Sequence, residues 1–286
     1  MNKIGILVDT GADMPPELIE KYGFGMINFM IIFGDESYSA GAEMSNAQFY
    51  AKIEESGIHP KTAQTPYQEM HDRLLEEAKK CETLIFFTIS AKASGQNHTA
   101  QMISKEIMEE YPETDIRVFD TESFSVYVAD AAVYAAQLAA EGADADEIIK
   151  KCTERLKRWE VYLLVDDLGY LEKGGRITKT AAIVGSLLDI KPVLTIRGGL
   201  IEPLLKIRGK KKVFKKLAEL IKEDTAFDSE NPEFIVVHSN ENYAAEMISI
   251  LEEEFGQGVI YMKSEFGPVI GTHAGPGALA VLFKKK

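Results

Sequence analysis

Cysteine is scarce in this sequence: Cys81 and Cys152 are the two cysteines in a chain of 286 residues. Two cysteines cannot form a disulfide framework, which excludes the small secreted proteins that depend on one. The chain also enters directly into a strand-length apolar run, residues 4–8, which is too short for the apolar core of a signal peptide. We therefore expect a cytoplasmic protein with reduced cysteines.

Positive charge is scarce as well, with 32 Lys and Arg against 45 Asp and Glu and a formal net charge of −13. Nucleic acids and anionic membranes attract cationic surfaces, so this balance argues against a nucleic-acid partner and leaves at most transient membrane contact. The local exception is a run of seven basic residues from Lys206 to Lys216 that contains no acid. The run is either a solvated helix start or a docking patch for an acidic partner or a membrane surface.

Long apolar stretches and metal-ligand patterns are missing too. The longest weakly charged stretch, Phe124 to Ala140, contains Asp130 and falls short of the ~20 apolar residues that a membrane span needs. It predicts a buried, alanine-rich helix instead. The five histidines show no ligand-like pairing with cysteine or carboxylate, so no metal is expected.

Short apolar runs alternate with amphipathic helices along the chain. This alternation predicts an α/β fold with mostly parallel sheets covered by helices. The length and a change of pattern near residues 156–160 predict two domains, residues 1–157 and 158–286. The predicted elements include strands at Ile4–Asp9, Ile27–Phe33, Leu84–Ile89 and Ile116–Asp120, a helix after the capping-box pattern at Ser45, and a β-hairpin from Leu194 to Lys206.

Two hydroxyl-rich segments follow predicted strands, at the edge where open α/β sheets bind ligands. The segment from Ser90 to Gly95 leads into a helix, whose first backbone N–H groups favour an anion. The other interpretation is that Ser94 only caps this helix. In the second segment, Thr65 before Pro66 predicts a helix cap with proline at the first helical position. Thr62 lies upstream of that cap, so its hydroxyl can point at something else, such as a ligand.

Two glycine-rich segments lie in the second half of the chain. Gly174 and Gly175 precede Arg176 and allow unusual backbone angles that aim the guanidinium outward, unless the arginine is simply solvated. His273 lies within Val269–Gly277, which we interpret as a glycine-rich turn that exposes the imidazole to a ligand. A structural histidine is the competing interpretation.

Taken together, these segments resemble the DegV family of bacterial fatty-acid-binding proteins. Each segment alone is weakly specific, but their order and spacing along the whole chain are highly specific. The resemblance is carried by residues 8–13, 62–64, 90–95, 119–121, 171–177, 190–194, 206–211 and 269–278.

The resemblance implies two α/β domains with one long-chain fatty acid in a buried tunnel between them. It places carboxylate binding on Thr62 and Ser94, together with Gly95 and His273, and it places Arg176 and Thr272 near the head group. It further implies a carrier that is not itself an enzyme and has no cofactor besides the bound fatty acid. A separate fatty acid kinase subunit would phosphorylate the presented carboxylate to an acyl phosphate.

The chain departs from the family pattern near the expected head group. The family usually has serine where Ala63 stands, proline where Thr65 stands and threonine where Gln96 stands. Two other functions stay open from the residues alone. One is a phosphate-ligand-binding protein that uses the helix start after Gly95. The other is a hydrolase with Ser94, His273 and an aspartate such as Asp9, although no G-x-S-x-G motif is present.

Overall fold

A computed structural model describes residues 2–177, 190–208 and 212–286. The chain divides into two compact units, of which the first comprises residues 1–156 with Gly267–Ile270. The second unit comprises Lys157–Phe266 with Gly271–Lys286. No helix among the described residues is both long enough and apolar enough to cross a membrane.

The first unit contains the following elements in chain order. They are β1 (Asn2–Asp9), a 3₁₀ turn (Thr10–Ala12), α1 (Pro16–Tyr22), β2 (Gly25–Ile27), β3 (Met30–Phe33), β4 (Glu36–Ser39), α2 (Asn46–Ser56), β5 (Lys61–Ala63), α3 (Tyr67–Ala78), β6 (Cys81–Thr88), α4 (Gln96–Glu110), β7 (Asp115–Asp120), α5 (Val126–Ala140) and α6 (Ala145–Leu156).

A four-stranded parallel sheet in the order β2-β1-β6-β7 forms the centre of this unit. Leu7 and Phe86 on one face pack with α3 and α4, in a cluster that includes Leu74 and Ile103. The alternate residues Val8 and Phe87 are fully buried as well. Because both faces of the sheet are covered, the parallel α/β arrangement predicted from the sequence is confirmed for this unit.

The predicted single strand from Ile27 to Phe33 is wrong. Its first residue, Ile27, ends β2 in the parallel sheet, whereas β3 pairs antiparallel with β4 and β5 in a separate three-stranded sheet. The chain leaves the first sheet at Asn28, and the next N–H, that of Phe29, donates to Thr10 Oγ1 at 3.0 Å. Alternating burial continues across this break, so hydropathy alone does not reveal it.

The elements of the second unit begin after residue 157. They are β8 (Trp159–Leu164), α7 (Gly169–Gly174), β9 (Ile190–Arg197), β10 (Leu200–Arg208), α8 (Val213–Glu223), β11 (Phe234–His238), α9 (Glu241–Phe255), β12 (Ile260–Glu265), α10 (Pro268–Ala274) and β13 (Leu279–Lys284), where the first residues of α10 belong to the first unit.

The sheet of the second unit has the order β10-β9-β8-β13-β11-β12. The expectation of a mostly parallel sheet is wrong here, because among the described strands β11 and β12 alone form a parallel pair. The physical reason is that β13 inserts between β8 and β11 and runs antiparallel to both. The predicted hairpin of β9 and β10 is confirmed, and it turns at Gly198 and Gly199 with φ angles of 52° and 79°.

Local capping rules hold at α2, where Ser45 and Gln48 form the predicted capping box. The predicted helix over Phe124–Ala140 is α5, which begins at Val126 and is buried along most of its length. Its charged residue, Asp130, is fully buried and is bonded to Arg155 at 2.8 and 2.7 Å. The charge is therefore accommodated by a partner on α6.

Candidate ligand-binding site

Polar side chains collect where the parallel strands of the first unit end. Asp9 ends β1, Ser90 lies just past β6, and Asp120 ends β7. The carboxyl ends of neighbouring parallel strands lie at one edge of the sheet, where α/β proteins bind ligands. Asp120 Oδ1 accepts N–H groups from Ala91 at 3.2 Å and from Glu122 at 2.9 Å. The turns after β6 and β7 are thus held together.

Asp9 is completely buried in this edge. Its Oδ1 accepts the N–H of Gly11 at 3.0 Å, and its Oδ2 accepts the N–H of Ile89 at 2.9 Å. Burial raises the pKa of Asp9 to about 7, while the hydrogen bonds from Ile89 and Gly11 and the nearby Gln96 side chain oppose that rise. This carboxyl therefore changes its charge near neutral pH.

The raised pKa predicts how the stability of the fold depends on pH. Between the ordinary value of 3.8 and about 7, folded Asp9 holds a proton that the unfolded chain has lost. The free energy of unfolding should therefore fall as pH rises through this window, by up to about 1.4 kcal/mol per pH unit. Urea unfolding of the wild type and Asp9→Asn at several pH values measures this contribution. Equal slopes in the two proteins would contradict it.

The Ser94 turn connects β6 to α4. The N–H of Ser94 donates to the carbonyl of Ser90 at 3.1 Å, and the N–H of Gln96 donates to Ser94 Oγ at 3.2 Å. Gly95 is the residue before α4 and supplies no side-chain cap. The capping interpretation is therefore partly right, since Ser94 accepts one N–H of the first turn. Because Ser94 Oγ accepts in this bond, its hydroxyl hydrogen can rotate towards an acceptor elsewhere.

Thr62 lies in β5, where it pairs with Ile31 of β3 and is partly buried. The predicted helix cap at Thr65 is wrong. Pro66 occupies the cap position of α3, and the Thr65 hydroxyl donates to the carbonyl of Asn28 at 2.7 Å. The Thr65 hydroxyl therefore bonds to a residue outside α3, although the local sequence pattern predicts that it caps this helix.

Side chains join the segment after β5 to the first turn of α4. Thr99 Oγ1 donates to Gln64 Oε1 at 3.0 Å, and the N–H of Thr65 donates to Gln96 Oε1 at 3.0 Å. The structure thus brings together the two segments that contain the predicted residues Thr62 and Ser94.

Backbone strain marks residues at the same edge that the sequence analysis missed. Asp13, Glu122 and Ser125 are non-glycine residues with positive φ angles of 48°, 48° and 56°. They lie in the turns after β1 and β7, and the Ser125 hydroxyl donates to Asp13 Oδ2. Such conformations persist where the surroundings enforce them and often accompany function. No local sequence pattern predicts them, because aspartate, glutamate and serine are ordinary turn residues.

In the second unit, the predicted residues Arg176 and His273 meet at one glycine. Arg176 Nη1 donates to the carbonyl of Gly174, and a Cβ added to Gly174 would lie 2.2 Å from His273 Nδ1. Burial lowers the pKa of Arg176 from its ordinary value. The two glycines have different roles, because Gly174 allows this close approach and Gly175 ends α7 with a left-handed φ of 68°.

The prediction of a glycine-rich turn around His273 needs correction. His273 lies in the last turn of α10 and is partly buried, while Thr272 is almost completely buried. The glycines with positive φ, Gly275 and Gly277, follow the helix. Each is needed for close packing, since an added Cβ would lie 2.6 Å from the Tyr170 ring and 2.1 Å from Asp166 Oδ2, respectively.

The sequence comparison decides the family. The DegV family profile matches residues 3–286. The chain belongs to the DegV family. A fatty acid-binding protein of Thermotoga maritima is 32% identical over 284 residues, which cover 97% of this chain and 96% of the relative.

Solved DegV-family structures agree with this fold. The crystal structure of DegV, a fatty acid binding protein from Bacillus subtilis, has a TM-score of 0.85 at 31% identity and covers both chains completely. The fatty acid binding DegV family protein of Streptococcus agalactiae has a TM-score of 0.86 at 31% identity, also with complete coverage of both chains.

The basic run of this DegV-family chain lies partly outside the described residues, which exclude Lys210 and Lys211. Lys216 is bonded to Glu219 at 2.9 Å. The described basic residues of the run are exposed, namely Lys206, Arg208, Lys212, Lys215 and Lys216.

No group of three or more metal-ligating side chains occurs in the described part of the chain.

Replacing Gly174 with alanine should destabilise the protein by about 1–3 kcal/mol, because the new methyl group collides with His273. The double variant Gly174→Ala/His273→Ala should recover much of this loss, which a double-mutant cycle of urea unfolding measures. Gly175→Ala is the matched control. Its methyl group meets no atom within 4 Å and costs only the left-handed strain, so His273→Ala should not relieve that cost. Additive effects of Gly174→Ala and His273→Ala would contradict the prediction.

Proposed function

We propose that this protein binds one long-chain fatty acid in a buried tunnel and holds its carboxylate with the hydroxyls of Thr62 and Ser94. Gly95 and His273 are assigned to the same carboxylate. A separate fatty acid kinase subunit then phosphorylates the carboxylate to an acyl phosphate in the cytoplasm. Arg176 and Thr272 lie near the presented head group, and the protein supplies no catalytic group of its own.

The observation that carries this proposal is the hydrogen bonding of the Ser94 turn. The N–H of Gln96 occupies one lone pair of Ser94 Oγ, so the hydroxyl can donate to a carboxylate oxygen. The turn also leads into α4, a helix of 15 residues whose N-terminal dipole favours an anion. Relatives that are described as fatty acid binding support the choice of a carboxylate over other anions.

The energetics of a buried acyl chain fit such a site. Each buried methylene contributes ~0.8 kcal/mol, so a long acyl chain gains on the order of 10 kcal/mol before ordering costs. A carboxylate cannot be buried without hydrogen-bond donors. Two hydroxyls and the start of a helix supply those donors as charge-assisted bonds.

The hydrolase alternative needs Asp9 as the aspartate of a catalytic triad, and the contacts of Asp9 do not support that role. Both carboxylate oxygens of Asp9 accept backbone N–H groups, from Gly11 and Ile89. An aspartate in a catalytic triad also accepts the N–H of a histidine, and no histidine is among the described partners of Asp9. Asp9 is therefore not arranged as the aspartate of a triad, and no other described contact favours ester hydrolysis at Ser94.

Mass spectrometry tests the proposed ligand. The purified protein is measured under native conditions and then after denaturation with lipid extraction. We expect one fatty acid per chain in the native mass and the free acid in the extract. An unliganded mass that stays unchanged after incubation with palmitate would overturn the proposal. A mass increase with a phosphosugar in place of palmitate would favour the phosphate-ligand alternative.

Replacing Arg176 with alanine tests the proposed role in presentation. The bound fatty acid should remain, because Arg176 is not assigned to the carboxylate itself. The rate of phosphorylation by the purified fatty acid kinase subunit should fall, and Lys173→Ala is the neighbouring control that also removes one positive charge. An unchanged rate in Arg176→Ala would remove this residue from the presentation surface.

A further inference from the structure

Gln96 lies at the centre of the hydrogen bonds around the Ser94 turn. It is the first residue of α4, and its side chain is completely buried. Its backbone N–H donates to Ser94 Oγ, and its side-chain Oε1 accepts the N–H of Thr65. One residue therefore connects the turn that contains Ser94 with the segment that follows Thr62.

The orientation of the Gln96 amide is fixed by Thr65. The Thr65 N–H can only donate, so the amide atom opposite it at 3.0 Å must be the oxygen. The Thr65 hydroxyl is compatible with this assignment, because it lies 2.7 Å from the Asn28 carbonyl and 3.0 Å from Gln96 Oε1 and can donate to either oxygen. The Nε2 group of Gln96 is therefore directed away from Thr65.

Gln96 Nε2 is a buried donor, and within residues 2–177, 190–208 and 212–286 no acceptor meets it in hydrogen-bond geometry. An amide hydrogen in this state is costly, which favours a nearby acceptor after a small movement. The carboxyl of Asp9 is close enough for Gln96 to lower the pKa of Asp9. Ionised Asp9 is thus the acceptor that the Gln96 amide can reach.

We propose that Gln96 is a positioning residue of the carboxylate site, which joins the Thr62 and Ser94 segments and couples ligand retention to the charge of Asp9. This inference rests on the proposed fatty-acid function. Neutral Asp9 adds no negative charge to this edge, so a bound carboxylate is held more tightly than beside ionised Asp9. Ionised Asp9 repels the ligand and attracts the amide of Gln96.

The coupling predicts a direction for the effect of pH. Ligand retention should weaken as pH rises through the range in which Asp9 ionises. The Gln96 amide favours ionised Asp9, so its removal should move this transition upward. Other ionisable groups on the adjoining turns and helices include Asp13, Lys92, His98, Asp120, Glu122, Tyr127 and Asp130.

Three of these carboxyls already have hydrogen-bond donors. Asp13 accepts from Ser125 and from the N–H of Gly267, Asp120 accepts two turn N–H groups, and Asp130 is paired with Arg155. For Asp9, burial raises the pKa and outweighs the hydrogen bonds that lower it. A transition that disappears with Asp9 therefore identifies Asp9 as its source.

The test measures the dissociation constant of cis-parinaric acid by fluorescence from pH 5.5 to 9. Hexadecanesulfonate, whose head group stays ionised throughout, is measured by displacement so that titration of the ligand is separated from titration of the protein. In Gln96→Met the midpoint of the pH transition should rise by about one unit, because the loss of a hydrogen bond to a charged group is of that size. In Asp9→Asn the transition should vanish.

Thr99→Val is the matched control, since the Thr99 hydroxyl on the same helix donates to Gln64 Oε1 and its loss should leave the midpoint unchanged. A purely structural role for Gln96 would weaken binding equally at every pH, and an unmoved midpoint in Gln96→Met would therefore overturn the inference. A transition that persists in Asp9→Asn would overturn it as well, even if Gln96→Met failed to fold. If neither probe binds the wild type at any pH, the proposed function itself fails and the inference fails with it.

Discussion

The double substitution Thr62→Ala/Ser94→Ala is expected to remove fatty-acid retention while the protein stays folded. Each hydroxyl would donate to a charged carboxylate, and a hydrogen bond of that kind contributes about 1.5–3 kcal/mol. The loss of both should weaken binding by about 3 kcal/mol or more, which is roughly a factor of 100. Quantification of fatty acid per chain after purification, together with the dissociation constant for palmitate, measures this effect.

The control for this double variant removes the same atoms elsewhere. Ser104 lies in α4 with a buried hydroxyl that has no hydrogen-bond partner in the described part of the chain. The Thr153 hydroxyl donates only to the carbonyl of Ile149, in its own helix, among the described contacts. Ser104→Ala/Thr153→Ala should therefore retain the lipid. Equal lipid content in the Thr62/Ser94 variant and this control would refute the carboxylate assignment.

Asp130→Ala is the substitution expected to have the largest effect on stability. Asp130 is fully buried and makes two bonds to Arg155, whose side chain is about four-fifths shielded from solvent. Removing one member of a buried pair leaves a charge without its partner and costs about 3–5 kcal/mol. The free energy of unfolding in urea should fall by that amount.

The partner substitution distinguishes this explanation from simple loss of packing. In Asp130→Leu/Arg155→Leu both charges are gone, so the uncompensated guanidinium no longer contributes. We expect this double variant to be more stable than Asp130→Ala, because apolar replacement of a whole buried pair is often neutral. Lower stability than Asp130→Ala would show that the ion pair itself is required.

Regular elements with strong periodicity could be predicted from the sequence. The capping box at Ser45, the hairpin at Gly198-Gly199 and the buried helix around Asp130 each depend on residues close together in the chain. The segment from Ser90 to Gly95 was also predicted to follow a strand of the first sheet, and it does follow β6. Such a prediction depends on where a strand ends, which hydropathy locates well.

Contacts between distant residues could not be predicted in this way. Thr65 follows the local pattern of a helix cap, but its hydroxyl bonds to Asn28, which lies 37 positions away. His273 stands among glycines that suggest a loop, yet it lies in α10 and packs against Gly174. Strand direction in the second sheet likewise depends on β13, which joins neighbours from both sides. In each case a residue or strand that is distant in the sequence determines the structure, and no local sequence pattern identifies that partner.

The central place of β13 has a consequence for biosynthesis. Along the chain β13 follows every other strand, yet in space it separates β8 from β11. During translation the two halves of this sheet leave the ribosome before the strand that joins them, whereas all four strands of the first parallel sheet have been made by Asp120. Folding on the ribosome can therefore assemble the Ser94 turn early. The second sheet closes only after β13 emerges, so the protein matures from the edge that bears Ser94 towards the segment that bears His273.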